Sequence, residues 1–404
     1  MKQFFLQHRK KFGSRDRRFL SEVIFSLYRH KTFIDIWTEK LLGNSSSEED
    51  RDGAMLALAA VLAGILDKEG AQAVLPDGFK SEERIKAHDL PEDISFESEV
   101  DAAAARYSFP DWLVKRWFEQ FGNAPAVALL CSLNQRPPLV GRVNPSKMSR
   151  DELLARFQSK GISVEASKRS DCGVVFRNRI HLLSTEEFQK GYVEIQDEGS
   201  QLITQAVGPR AGEWVWDACA GGGGKALLAA ALMENKGCVV ASDIREGKLR
   251  DLEKRAKRAG ATNIRIVVPD RLDEITEIRD GFDKIMIDVP CSGTGTIRRN
   301  PDLKWRLQEK DFESYPERQL DIIEKALPRL KKGGKLYYIT CSLDRAENEG
   351  VVEKLLAGGD GLEPDGDVVP ILENCKTGEG QYRLMPHEQS TDGFFLAVFR
   401  KRPA

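Results

Sequence analysis

From Gly212 onward, short apolar runs alternate with longer amphipathic ones, and this alternation limits the possible folds more than any other feature. Strands are expected at 213–219, 238–243, 264–268, 283–289 and 335–340, and helices at 225–233, 245–259, 311–330 and 346–356. That order on that period predicts an α/β fold built on a mainly parallel, doubly wound sheet. Residues 393–400 read as a last strand, antiparallel and at the edge.

Upstream the pattern is different. To about Asn134 the chain reads as helical: residues 18–28 and 54–66 carry apolar side chains at three- and four-residue spacing. Pro110, just before 112–118, suits the first turn of a helix. After Arg136-Pro137-Pro138 a strand (139–145), a helix (149–158) and another strand (173–176) suggest a small α/β unit reaching to about Glu198. Three domains are therefore expected: 1–134 helical, 135–198 small α/β, and 199–404 catalytic. A chain of 404 residues is long enough for them.

Composition excludes several classes. At 41% hydrophobic and 31% charged residues the chain is an ordinary globular one, with no apolar run long enough to span a bilayer. Residues 1–10 lack a signal-peptide core, so a cytoplasmic protein is expected. A net charge of −2 does not advertise nucleic-acid binding. Two local clusters could still meet phosphates: Arg9, Lys10, Lys11, Arg15, Arg17 and Arg18, and then Arg298, Arg299, Lys304 and Arg306. Either could equally be a solvated charged face. The seven cysteines form no CxxC pair, which argues against zinc, and their odd number argues against a disulfide framework.

One strand expected in the alternation runs into a glycine turn: Trp214-Val215-Trp216-Asp217-Ala218-Cys219-Ala220-Gly221-Gly222-Gly223-Gly224-Lys225. Glycines allow close backbone approach to a ligand, and the following helix N-terminus favours anionic groups. A phosphate-binding P-loop fails by count, because Cys219 and Ala226 stand where its first glycine and its hydroxyl belong. A dinucleotide site stays open. Asp243 and Asp270 end the next two strands, where they could accept hydrogen bonds from ribose hydroxyls or simply serve as cap or loop acids. Asp288 and Cys291 end the fourth strand and Cys341 the fifth, so both thiols should share the catalytic edge with the glycine turn.

Pro290-Cys291-Ser292-Gly293-Thr294-Gly295, Arg298-Arg299-Asn300-Pro301-Asp302-Leu303-Lys304-Trp305, Thr340-Cys341-Ser342 and Pro386-His387-Glu388-Gln389-Ser390-Thr391-Asp392-Gly393-Phe394-Phe395 follow one another in order. With Arg142-Val143-Asn144-Pro145 and Gln196-Asp197-Glu198-Gly199-Ser200-Gln201, the chain strongly resembles the RNA 5-methylcytosine methyltransferases related to the bacterial 16S rRNA enzyme and its nucleolar relatives. The resemblance spans roughly residues 136–401. More weakly, Gly13–Phe19 resembles the NusB-like domain of the ribosomal branch, which is short here. One departure lies in the glycine turn, where the family commonly has Ala-Pro-Gly-Gly-Lys-Thr and this chain has Gly221-Gly222-Gly223-Gly224-Lys225-Ala226.

The resemblance implies a Rossmann-like S-adenosyl-L-methionine methyltransferase domain, preceded by a helical RNA-binding domain and a small α/β RNA-binding domain. It implies a cofactor site at Cys219, Ala220, Gly221, Gly222, Gly223, Gly224, Lys225, Asp243, Asp270 and Asp288. It assigns Cys341 as the nucleophile that adds to cytosine carbon 6, and Cys291 as the group that assists release. Asp288 would hold ring nitrogen 3, and Lys225 would favour the thiolate. Arg298, Arg299, Lys304 and Trp305 suit an RNA-facing loop, although Trp305 fits a structural role equally well. Ribosomal RNA is the expected partner and tRNA an alternative; no metal, no membrane and a monomer are expected. Two other readings remain: a methyltransferase acting on protein or on DNA, the DNA case making Cys291 the attacking group, and a non-catalytic RNA-binding assembly factor.

Overall fold

A computed structural model describes residues 4–403, apart from 5–6, 9–10, 44–46, 68–85, 179, 279, 360 and 368. Arg9 and Lys10 of the first basic cluster lie outside the described residues. The chain divides into two compact units, Met1–Arg136 with Ile297–Glu309, and Pro137–Thr296 with Lys310–Ala404. No helix among the described residues is long and apolar enough to cross a membrane.

The first unit is helical, with Ser14–Arg29, Lys31–Leu42, Glu48–Leu62, Glu99–Tyr107, Asp111–Phe121 and Asn123–Asn134. Ser47 and Ser98 accept from the amides of Asp50 and Asp101 and so fix two of the starts. Pro110 is the N-cap of Asp111–Phe121. Phe33, Ile34, Trp37 and Leu58 close one core.

The excursion Ile297–Glu309 corrects a sequence expectation. Lys304 is fully buried: Nζ donates to Arg29 O at 2.8 Å and Asn134 Oδ1 at 3.0 Å, and lies 4.0 Å from the centre of the Phe109 ring. Tyr107 O is 3.5 Å away. Arg29, Tyr107 and Asn134 each end a helix, so the ammonium meets two helix-end carbonyls and, from the third helix end, the Asn134 side-chain oxygen. Arg298 is buried as well, and its carbonyl accepts from Arg29 Nη2 at 2.9 Å. The Trp305 indole donates to Tyr28 O at 2.7 Å. Lys304 and Arg298 therefore do not form a phosphate-facing surface, because a side chain sealed from water cannot meet a solvated phosphate. Arg306 stays exposed and pairs with Asp302 at 2.8 Å.

The second unit holds two sheets. In the small one, β1 (Leu139–Val143), β2 (Val164–Ala166), β3 (Gly173–Phe176) and β4 (Val193–Ile195) pair antiparallel in the order β2-β3-β1-β4. Its covering helix, Arg150–Ser159, starts at a capping box of Ser149 and Glu152.

The large sheet has nine strands among the described residues: β5 (Trp214–Asp217), β6 (Cys238–Ser242), β7 (Ile264–Val267), β8 (Phe282–Asp288), β9 (Leu330–Thr340), β10 (Leu362–Pro364), β11 (Lys376–Gly378), β12 (Gln381–Leu384) and β13 (Phe394–Lys401). The order is β11-β12-β13-β9-β8-β5-β6-β7, with β10 on β13. The pairs from β9 through β8, β5 and β6 to β7 are parallel. Alternate residues face opposite cores. Val215, Val239, Met286 and Ile339 pack on one side, and Trp216, Val240, Ile285, Ile287 and Tyr338 on the other. Burial on both faces explains why these strands read as nearly unbroken apolar runs.

Several boundaries differ from expectation. β13 is antiparallel but interior, flanked by β9 and β12, since the strands at 376–384 carry too few apolar residues to announce themselves. β9 begins at Leu330, so the helix expected to reach 330 ends at Ala326. The helix expected from 346 begins at Glu349, after a 3-10 turn at Arg345–Glu347. Chain order runs outward from β5 to β7 on one side and resumes at β8 on the other. The crevice beyond the carboxyl ends of β5 and β8 is thus the switch point where ligands of such sheets bind.

Candidate functional site

β5 ends at Asp217, and the chain turns through Ala218–Gly223 into helix Gly224–Leu232. Gly221 and Gly223 have φ of 54° and 78°. A Cβ on Gly223 would sit 1.9 Å from Leu252 Cδ1, so only glycine lets the turn close on the neighbouring helix. Residues Ala218–Gly222 stay half-buried, which leaves one side of the turn open.

Three carboxylates surround this turn. Asp217 is buried. Burial pushes its pKa up to about 7, against the pull of the Lys225 charge. Asp243, at the end of β6, accepts from Gly221 N at 2.8 Å and is also gripped by Arg245 through its amide, Nε and Nη2. Burial opposes the charge, but Arg245 and these amides hold Asp243 below the usual carboxylate range. Asp270 is exposed, in the 3-10 turn Pro269–Glu274 after β7.

Asp288, at the end of β8, accepts from Lys225 Nζ at 2.5 Å. Lys225 is buried beside it and lies 5.4 Å from the Phe394 ring centre. Burial works to strip its proton. The Asp288 charge and hydrogen bond, helped by Asp217 and Cys341, win and raise its pKa. Half-buried Cys219 has its thiol pushed up, first by burial and then by the surrounding carboxylates.

Cys291 and Cys341 follow β8 and β9, and their sulfurs are 3.3 Å apart. Both are free and half-buried. Hydrogen bonding to the Cys341 sulfur and burial push the Cys291 thiol well up. The loops that carry the pair are stitched through glycine. Gly295 N donates to Cys341 O at 2.8 Å, and Gly393 N to Gly295 O at 2.9 Å. A Cβ on Gly295 would lie 2.3 Å from Gly393 O and 2.8 Å from Cys341 O.

Glu347 was not singled out from sequence, yet it bridges both cysteine loops. Its Oε2 accepts from Ser292 N at 2.8 Å and Gln319 Nε2 at 3.0 Å, and its Oε1 from Ser342 Oγ at 2.6 Å. Ser292 Oγ and Ser342 Oγ are 3.0 Å apart. One fully buried carboxyl thus grips the residue after each cysteine. Burial pushes its pKa up, while bonds from Ser292 and Ser342 pull it back. The sequence offered only an acid five residues after Ser342, a spacing common at helix starts.

Chemically, the crevice joins two adjacent thiols, a buried cation and a glycine turn ringed by carboxylates. That ring favours a cationic ligand, and the turn lets a nucleoside approach the backbone. S-adenosyl-L-methionine, with a sulfonium and an ammonium, fits both.

A family model described as 16S rRNA methyltransferase RsmB/F matches residues 204–400, and one for the RsmF/B-like ferredoxin-like domain matches 109–182. The probable ribosomal RNA small subunit methyltransferase B of Bacillus subtilis (strain 168) is 32% identical, over 96% of this chain and 92% of its own. Among solved structures, PH0851 superposes with TM-score 0.79 and 24% identity, over 99% of this chain and 93% of its own. NSun6 from Pyrococcus horikoshii, solved with SFG, superposes with TM-score 0.64 and 23% identity, over 73% of this chain and 99% of its own. At these identities the two structures speak to the fold alone.

Proposed function

The chain belongs to the RsmB/F family of 16S rRNA methyltransferases, and from that premise we propose that it methylates carbon 5 of a cytosine in ribosomal RNA, using S-adenosyl-L-methionine. The reading is carried by the two cysteine sulfurs, 3.3 Å apart on the sheet edge that bears the carboxylate-ringed glycine turn.

Carbon 5 of cytosine is a poor nucleophile until carbon 6 gains an electron-rich substituent. Cys341, as thiolate, forms a bond to carbon 6 and drives electron density toward carbon 5. The Lys225 charge favours the thiolate, because a nearby cation lowers the cost of the anionic sulfur. The Lys225–Asp288 pair carries a proton that nitrogen 3 can share as charge enters the ring. When bound, the cofactor supplies an electrophilic methyl group on a sulfonium. Backbone groups of Gly221–Gly224 and the carboxylates of Asp217, Asp243 and Asp288 would hold it. Cys291 then assists removal of the carbon 5 hydrogen as a proton; the electrons of that bond expel the Cys341 sulfur and restore the ring. The target base must be unpaired or flipped out to reach this edge.

The test replaces each cysteine separately in the full chain and incubates it with 16S rRNA and the methyl donor. Cys291→Ala is expected to accumulate a covalent RNA adduct, and Cys341→Ala to form none and to transfer no methyl. Bisulfite mapping of rRNA from cells with and without the protein then locates the base. Adduct with Cys341→Ala and none with Cys291→Ala would reverse the roles. Normal transfer by Cys341→Ala would end the covalent model.

A further inference from the structure

The four glycines of the cofactor turn have no side chains with which to hold their own shape. Two of their carbonyls, those of Gly222 and Gly224, are held by arginine side chains instead. Arg142, on β1 of the small sheet, is 2% exposed and donates from Nη1 to Gly224 O at 2.7 Å and to Gln196 Oε1. Arg255, in helix Glu246–Ala259, donates from Nη1 to Gly222 O. The rest of its guanidinium is held by Glu194 of β4, with Nε and Nη2 at 3.3 and 3.1 Å from Oε2. Glu194 is 3% exposed and also pairs with Arg258. A buried carboxylate on the small sheet thereby aims an arginine at the most mobile kind of backbone in the large one.

We propose that Glu194, Arg255 and Arg142 are positioning residues that lock the Gly221–Gly224 turn in its ligand-ready shape, so that the small sheet sets the affinity for the methyl donor. The physical basis is entropic. Free glycines populate many conformations, and a ligand that needs one of them loses affinity in proportion to its rarity. Pinning the carbonyls of 222 and 224 removes most of that loss before binding. The proposal rests on the reading that this turn holds S-adenosyl-L-methionine.

Titration calorimetry of the full chain with S-adenosyl-L-methionine tests it. Arg255→Ala is expected to weaken binding about tenfold, the scale of one charge-assisted hydrogen bond. Glu194→Gln, which frees the arginine to wander, is expected to cost about threefold on the same scale. Amide hydrogen exchange across 220–226 should quicken in both. The decisive measurement is Arg255→Ala combined with Gly222→Ala. A Cβ at 222 would meet only Arg255 Nη1, at 3.1 Å, an atom the first change removes. Alanine stiffens the turn without it, so about threefold of the affinity should return. Unchanged affinity in Arg255→Ala, or a loss that Gly222→Ala leaves unrepaired, overturns the proposal and assigns Arg255 to joining the sheets. A wild-type chain that does not bind the donor sinks the cofactor reading itself, which is a separate result.

Discussion

Lys225 and Lys304 are both buried lysines in segments that sequence alone marks as functional, one in each compact unit. Their surroundings divide them. Lys225 faces carboxylates, Asp288 at 2.5 Å with Asp217 nearby, and its pKa is raised. Lys304 donates to neutral oxygens beside the Phe109 ring and the Arg29 charge, and burial drives its pKa well down. The first is a charge paired with a carboxylate near the Cys341 thiol. The second closes three helix ends. A buried cation declares its task through its partners, since a carboxylate stabilises the charge outright while carbonyls merely make its burial bearable.

The largest effect expected from this contrast is on catalysis. Lys225→Met should slow single-turnover methyl transfer on the order of 10³-fold, because the thiolate loses its cation and Asp288 its proton source. A loss under tenfold would place Lys225 with Lys304 among the structural lysines. Lys304→Ala should instead leave single-turnover transfer within a few-fold. It should lower unfolding stability in urea by about 3 kcal/mol, from the cavity and the orphaned carbonyls. Stability unchanged to within about 0.5 kcal/mol would show that the three helix ends do not depend on it.

A smaller effect sharpens the same comparison through pH. His30 is buried beside Lys304, and burial first, then the Lys304 charge, pushes its pKa down to about 2 from 6.5. The folded chain therefore refuses a proton that the unfolded chain takes up below 6.5. This contribution to stability is intact above pH 6.5 and is lost as pH falls from 6.5 toward 2, by up to about 1.4 kcal/mol per pH unit. Urea unfolding of wild type and His30→Phe at pH 7 and 5.5 measures it. Equal slopes in the two chains would remove His30 as the source.

Much of the fold was legible because its signals are local. The apolar runs at 238–243, 264–268 and 283–289 lie within a residue or two of β6, β7 and β8. Ser149 marks its helix start through its own hydroxyl. The position of β13 was not legible, since its neighbours β11 and β12 are short strands whose pairing is decided by what lies beside them. Asp243 was readable as a strand-end acid, but not its grip by Arg245, which depends on a side-chain conformation. Glu347 and Arg255 were unreadable for a related reason: each acts on backbone or hydroxyl groups between 5 and 55 residues away.

By itself the sequence determined that a parallel sheet forms and that Asp243, Asp288, Cys291 and Cys341 end strands or follow them on one edge. Parallel strands joined by crossover helices must present all their carboxyl ends together, whatever packs around them. Only the tertiary structure decided which charges in these motifs stay solvated and which are sealed in, as with Lys304, and how near the two sulfurs come. Burial and distance depend on groups far apart in the chain, and no local pattern encodes them.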